Sequence, residues 1–230
     1  MKIKNLKCDL KTCTMCRGCQ PEWLQAIDIN RKVIHFKRGE NLFREGDTVK
    51  GMYFIYSGLV KVHKKWSDDK ELILRFAKQG AIVGHRGLGS DTIYPVSATV
   101  LANTDICFVD LDFFIATLKV NPGYLFELMM FFAVELKESE RRMRNLAHMN
   151  TKGRIVQSLI NLHKKFGTDD DGFVDIEISR QDFASYAGTT YETLFKIMNE
   201  LVDENFIRID GKKIKIVNES KLLKSFASQG

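Results

Sequence analysis

Four of the five cysteines of this 230-residue chain fall within twelve positions: Cys8, Cys13, Cys16 and Cys19. Their spacing is C-x4-C-x2-C-x2-C. Thiolates at two-residue intervals can converge on one soft metal centre, and C-x2-C-x2-C also opens the bacterial ferredoxin run. A [4Fe–4S] cluster, a zinc ion and a set of plain thiols are the three readings that this spacing leaves open. The second group with chemistry lies in residues 179–201. Glu192 can accept a hydrogen bond from cytosine N4, and Lys196, one helical turn on, can donate to guanine O6 and N7. Tyr191, Phe195 and Asn199 share that face, while Leu194, Ile197, Met198 and Leu201 share the opposite one. An exposed Phe195 can touch a thymine methyl.

Two short helices joined by a corner are needed to present those side chains. Ser179 with Asp182 three residues on is one capping-box signal, and Thr189 with Glu192 is a second. Phe183, Ala184 and Ala187 give the first helix an apolar face. Gly188 permits the left-handed turn between the helices. This is the helix-turn-helix pattern, with the recognition helix starting near Thr190. Ser179, Arg180, Gln181 and Thr190 stand at helix N-termini, where amides and hydroxyls favour phosphate. Phe206–Asp210 and Lys213–Val217 flank Gly211-Lys212, a two-residue connection that predicts a hairpin, or wing.

Upstream, residues 31–110 read as many short strands between glycine turns, among them the alternating runs Met52–Tyr56 and Leu59–Val62. After Pro122 a long helix is predicted. Leu125, Met129, Phe132, Leu136, Met143 and Leu146 recur along it at steps of four and three or their sums, a heptad seam that suits pairing with a second copy of the chain. Residues 150–166 predict a further helix.

Charge does not add to the case for nucleic acid. The net charge is +6, but from residue 150 onward twelve basic residues balance twelve acidic ones. A winged helix that has lost DNA binding therefore stays open as an alternative. The N-terminus, MKIKNLKCDLK, lacks an apolar signal core, and no apolar run of about 18 residues occurs, so a cytoplasmic protein with no membrane partner is expected. There disulfides are rare. No nucleophile–base set, P-loop or dinucleotide fingerprint is present, so an enzyme is not expected. Of the histidines, His63, His148 and His163 read as surface or boundary residues.

The order β-roll, long helix, winged helix-turn-helix resembles the CRP/FNR family of bacterial transcription regulators. Gly39-Glu-Asn-Leu-Phe-Arg-Glu-Gly-Asp47, Tyr53-Phe-Ile-Tyr-Ser-Gly-Leu-Val-Lys-Val62, Gly80-Ala-Ile-Val-Gly84 and Tyr186-Ala-Gly-Thr-Thr-Tyr-Glu-Thr-Leu-Phe-Lys196 carry the resemblance. It implies an α+β fold: a cysteine-rich segment (1–24), a cyclic-nucleotide-binding-like jelly roll as sensor (25–120), a dimerisation helix (121–148) and a winged helix-turn-helix (149–230). It also implies a homodimer on double-stranded DNA, with RNA polymerase as a further partner. Lys196 departs from the family's usual arginine and lacks its bidentate fork.

The family's effector pocket maps onto Gly84, His85, Arg86, Val96 and Ser97. The cyclic-AMP branch has a glutamate where this chain has His85, and an arginine where it has Val96. Without that guanidinium a buried phosphate loses its charge-assisted hydrogen bonds, so cyclic AMP is not expected. The oxygen-sensing branch holds a [4Fe–4S] cluster with three N-terminal cysteines and an internal one, onto which Cys107 aligns. Its N-terminal spacing is C-x2-C-x5-C, which this chain does not reproduce. Cys107 also suits a small buried hydrophobe in a strand. The resemblance is closer to the FNR-like branch. A small anion other than cyclic AMP sensed in the β-roll, or a zinc-stabilised regulator without redox control, are the alternatives.

Overall fold

The computed structural model describes residues 2–3, 8, 10–67 and 70–227. Residues 1, 4–7 and 9 of the cysteine-rich segment, residues 68–69, and residues 228–230 of the expected winged helix-turn-helix region lie outside them. Two compact units result, residues 1–137 and 138–230.

In the first unit the elements run β1 (Lys2–Ile3), α1 (Thr14–Gly18), α2 (Leu24–Asn30), β2 (Arg31–Phe36), β3 (Asn41–Phe43), β4 (Gly51–Ser57), β5 (Leu59–Ser67), β6 (Lys70–Lys78), β7 (Ile82–Val83), β8 (Ser97–Val100), β9 (Thr104–Asp110), α3 (Leu111–Val120) and α4 (Pro122–His148), whose last turns belong to the second unit. The strands make two sheets, β1-β2-β9-β4-β7 and β3-β8-β5-β6, with all pairings antiparallel. This is the β-roll, and its core is the apolar set between the sheets and under α3.

Strand β4 departs from the expected alternation. Met52, Tyr53, Phe54 and Ile55 are all buried. The strand lies inside its sheet between β9 and β7, and both its faces are covered. Tyr53 meets Phe43 of the opposite sheet, with ring centroids 5.5 Å apart. Phe54 meets Phe114 of α3 at 6.3 Å. A strand covered on both faces reads as a continuous apolar run. His63 corrects another expectation. It is 4% exposed, with Nδ1 2.7 Å from Glu71 and Nε2 2.8 Å from the Thr99 hydroxyl. Glu71 also receives Lys61, so these three polar groups satisfy one another beneath the β5–β6 ribbon.

The cysteine-rich segment is bolted to the α3–α4 corner. The Gln20 amide donates to the Asn121 side chain at 2.8 Å, and Trp23 Nε1 donates to the Thr117 hydroxyl at 3.0 Å. The Trp23 ring stacks on Phe113 at 6.0 Å. Gly18 lets α1 approach α4. A Cβ there would sit 2.6 Å from Cδ2 of Tyr124, a ring that is itself 2% exposed and has nowhere to move. Gly18→Ala gains about 1 kcal/mol of helix propensity at most. Overpacking costs about 1–3 kcal/mol. The clash wins, so the variant is expected to melt lower and to be cut faster within residues 10–23 under limited proteolysis. Equal melting and cleavage would show that α1 does not depend on that approach.

The second unit adds α5 (Thr151–Phe166), α6 (Arg180–Ala187), α7 (Tyr191–Asp203), β10 (Ile207–Asp210), β11 (Lys213–Ile216) and α8 (Glu219–Ala227). Ile155, Val156, Leu159, Ile160, Leu162 and Phe166 give α5 a buried stripe at helical spacing. Asn150 caps it, its side chain accepting from the Gly153 amide at 2.8 Å. Strands β10 and β11 pair antiparallel around Gly211, whose φ of +53° suits glycine. Among the described residues no helix is long and apolar enough to cross a membrane.

Candidate functional site

The corner between α6 and α7 forms from local chemistry. Ser179 caps α6 by accepting from the Asp182 amide at 2.9 Å. Gly188 ends α6 in the left-handed region, φ +66° and ψ +46°. The α7 cap differs from the expected one. Thr190, not Thr189, accepts from the Thr193 amide at 3.2 Å. Glu192 is therefore no member of a capping box, because the helix begins one residue later than that pattern requires. Its carboxylate is left exposed.

Leu194, Ile197, Met198 and Leu201 are buried, and Tyr191, Glu192, Phe195, Lys196 and Asn199 are exposed. Tyr191 and Phe195 stack on each other, centroids 6.3 Å apart and planes 16° apart, which organises the apolar part of that face. Gln181 and Thr190 are also exposed. Arg180 is engaged inside the unit: Nη1 and Nη2 donate to the Lys212 and Gly211 carbonyls at 3.1 and 3.0 Å. It ties the first helix to the wing turn. Two residues that motif reading missed brace the corner from behind. Arg142 donates to the Tyr186 carbonyl at 2.9 Å and lies over that ring at 4.7 Å. Arg154 donates to the Gly188 carbonyl at 3.1 Å. Their sequence spacing carries no signal, since both reach across more than thirty residues.

The thiols form a second site, in the first unit. The sulfurs of Cys8, Cys13 and Cys16 lie within 4.8 Å of one another, and Cys8 and Cys16 are 3.3 Å apart. Cys19 and Cys107 are outside this trio, although both are buried. Within the trio the Cys16 and Cys8 thiols hydrogen-bond toward Cys13 and favour its thiolate form, lowering its pKa to about 3, while those same contacts push Cys16 up. Cys107 is pushed up to about 12, first by burial and then by the nearby Cys13. Arg31 acts on both Cys107 and Cys8, favouring their ionised forms. It was not among the sequence candidates, because it reaches the thiols only through β2–β9 pairing, where Arg31 stands opposite Val109. Three convergent sulfurs in an apolar surround beside a cation are a donor set fit for a soft metal.

Of the expected effector residues, Gly84 takes φ +96° and starts a short 3-10 turn, His85–Gly87. His85 is 1% exposed between Phe131 and Phe132 of α4, with centroids at 5.1 and 5.3 Å. Burial pushes its imidazole down to about 4. Arg86 donates to Glu135 of α4 at 2.9 Å. Val96 is buried, and the Ser97 hydroxyl accepts from the Glu45 amide at 2.9 Å. On the expected seam, Leu125, Met129, Leu136, Met143 and Leu146 are exposed, while Phe132 is partly buried against His85.

Residues 33–133 match the family described as "Cyclic nucleotide-binding domain", and residues 153–225 match "Crp-like helix-turn-helix domain". The chain is 33% identical over 179 residues to the cAMP-activated global transcriptional regulator CRP of Salmonella typhimurium, covering 76% of this chain and 84% of that protein. It is 29% identical over 192 residues to the anaerobic regulatory protein of Bacillus subtilis, covering 82% and 79%. Among solved structures it is similar in fold to FixK2 from Bradyrhizobium japonicum, with a TM-score of 0.76, 20% identity and coverage of 84% and 96%. It is also similar to a CooA mutant from Carboxydothermus hydrogenoformans, with a TM-score of 0.77, 15% identity and coverage of 97% of each chain. A β-roll, a long helix and a capped, winged helix pair in this order, together with these matches, place the chain in the CRP/FNR family: it is a DNA-binding transcription regulator with an N-terminal ligand-binding domain.

Proposed function

We propose that two copies of this chain pair along α4 and bind a two-fold-related DNA site, and that a metal held by the N-terminal thiols controls that binding. The observation that carries the DNA reading is the division of α7. Its apolar side is buried, and Tyr191, Glu192, Phe195, Lys196 and Asn199 form the exposed side. Base edges are read from such a face, with Glu192 for cytosine, Lys196 for guanine and Phe195 for a thymine methyl. Ser179, Arg180, Gln181 and Thr190 contact phosphate. Arg180 does so by exchanging, or adding to, its wing-turn bonds. Pairing along α4 is supported by Leu136 and Met143, about 60% and 59% exposed on a single chain. Two recognition helices related by a dyad read half-sites about one helical turn apart. The cytoplasm is the compartment this implies, with RNA polymerase as the further partner. Cyclic AMP is not the expected signal: Val96 offers no cation, and the Ser97 hydroxyl already serves the Glu45 amide.

For the metal, Cys8, Cys13 and Cys16 supply three ligands and Cys107 or Cys19 the fourth. An iron–sulfur cluster there supplies oxidant-sensitive chemistry at the N-terminus. That the chain resembles an anaerobic regulatory protein supports this reading. A second reading is a single zinc ion, favoured by the sulfur spacing. Zn–S bonds of about 2.3 Å in a tetrahedron put sulfurs about 3.8 Å apart, within the span observed. Anaerobic purification with iron, sulfide and zinc analysis separates the two. Selection from a library of palindromes, read by gel shift, tests the DNA reading. Absence of any bound metal after anaerobic reconstitution would remove the metal reading, and binding indifferent to sequence would remove base recognition.

A further inference from the structure

The balanced charge of residues 150–230 hides two segregated blocks. The wing, residues 207–216, carries Arg208, Lys212, Lys213 and Lys215 against Asp210 alone. The stretch before α6, residues 168–177, carries Asp169, Asp170, Asp171, Asp175 and Glu177 and no lysine or arginine. The fold lays the second block on the first. Lys213 Nζ donates to Asp169 Oδ2 at 2.8 Å, and Lys215 Nζ donates to the Asp171 carbonyl at 2.8 Å. Both ammonium groups stand 5.9 Å from the centroid of the Phe173 ring, whose face attracts cations.

The loop does not need those lysines to keep its shape. Asp169 Oδ1 accepts from the Asp171 and Phe173 amides at 3.1 and 2.9 Å, which closes the turn. The Val174 amide donates to the Ile214 carbonyl at 2.8 Å, so backbone already fixes the loop to the wing. Lys213 is held in its charged form first by Asp169, and further by Asp171 and Glu177. The wing turn lies at the N-terminus of α6, where Arg180 donates to the Lys212 and Gly211 carbonyls. Lys213 follows that turn directly, so a phosphate at the helix end is within its reach.

We propose that the acidic 168–177 loop is an internal competitor for the DNA backbone: its carboxylates occupy Lys213 and screen Lys215, and so weaken the wing's sequence-independent grip on phosphate. Carboxylate and phosphate are both oxyanions, and one replaces the other on an ammonium group. The exchange is open, because ion pairs between partly exposed groups are weak. The Lys213 and Asp169 side chains are 40% and 23% exposed. The inference rests on the DNA-binding assignment and not on base reading by α7.

The test is fluorescence anisotropy of the full chain on a selected and a scrambled duplex across a salt series. Asp169→Asn keeps an oxygen for the two loop amides and removes the charge facing Lys213. It is expected to tighten binding to both duplexes by about two- to fivefold for each wing engaged. The salt dependence should steepen by about one for each lysine released to phosphate. Adding Lys213→Gln should cancel both changes. Asp171→Asn combined with Glu177→Gln removes two further carboxylates that act on Lys213, while Asp171 serves the loop through its amide and carbonyl. This pair is expected to give a smaller gain in the same direction, and it carries the test should Asp169→Asn misfold by circular dichroism. Wild-type binding with no gain in either variant, or a gain that survives Lys213→Gln, overturns the proposal and leaves the DNA-binding assignment standing. Weaker binding in both variants would equally sink it, since the loop would then only staple the wing. No binding of either duplex by any form at low salt would remove the DNA-binding assignment and the proposal together.

Discussion

Replacing both Glu192 and Lys196 by alanine is expected to weaken binding to a selected operator by about 100-fold or more. A base contact is worth about 1–3 kcal/mol of discrimination, and the two residues address different bases. The fold should be indifferent to the change. Glu192 and Lys196 are exposed, and the α7 cap is made by Thr190 with the Thr193 amide. The helix is held by Leu194, Ile197, Met198 and Leu201, which the substitutions leave in place. Fluorescence anisotropy at fixed salt, on the selected duplex and on a scrambled one, reads the effect. The selected duplex should lose most of its advantage, while the scrambled duplex changes little. Lys196→Ala alone distinguishes two roles. A base contact relaxes specificity at one position, whereas a phosphate contact weakens all sequences alike and lowers the salt slope by about one. An equal loss on both duplexes would mean that α7 positions the protein without reading sequence.

Cys13→Ser is expected to lower metal affinity by more than about 100-fold. Cys13 belongs to the sulfur trio, and its thiol is the one its neighbours make easiest to ionise. Loss of an outer partner of a metal ligand alone costs about 10- to 100-fold, so loss of a ligand must exceed that. Metal-to-protein ratio after anaerobic reconstitution and desalting is the measurement. Cys19→Ser and Cys107→Ser then identify the fourth ligand: whichever lowers the ratio supplies it, and the other should leave the metal bound. A full metal complement in Cys13→Ser would place the ligands elsewhere. Cys107→Ser carries its own control, since it sits in the β9 core opposite Val33 and Phe54, where a hydroxyl is poorly matched. A melting curve separates lost stability from lost ligation.

Much of the functional architecture was legible in short stretches of sequence. The helix pair, its Ser179 cap and Gly188 corner, the wing around Gly211 and the strands over 31–110 all follow from propensities acting within a few residues. Small errors arose where two local solutions were nearly equal. Thr189 and Thr190 both offer a hydroxyl, and the corner at Gly188 decides which one faces the α7 amides. The apolar run of β4 fits alternation or complete burial, and its place between β9 and β7 decides for burial.

The sequence alone determined which elements form and which face of each is apolar, because backbone dihedrals and side-chain periodicity are properties of neighbouring residues. Tertiary structure decided which distant groups meet. It selected three of four clustered cysteines as a trio, brought Arg31 toward Cys8 and Cys107, and buried His63 on Glu71. It also carried Glu135 across 49 residues to Arg86. No spacing rule encodes such meetings, since they depend on how the sheets and α4 pack, and packing sums many weak contacts from the whole chain.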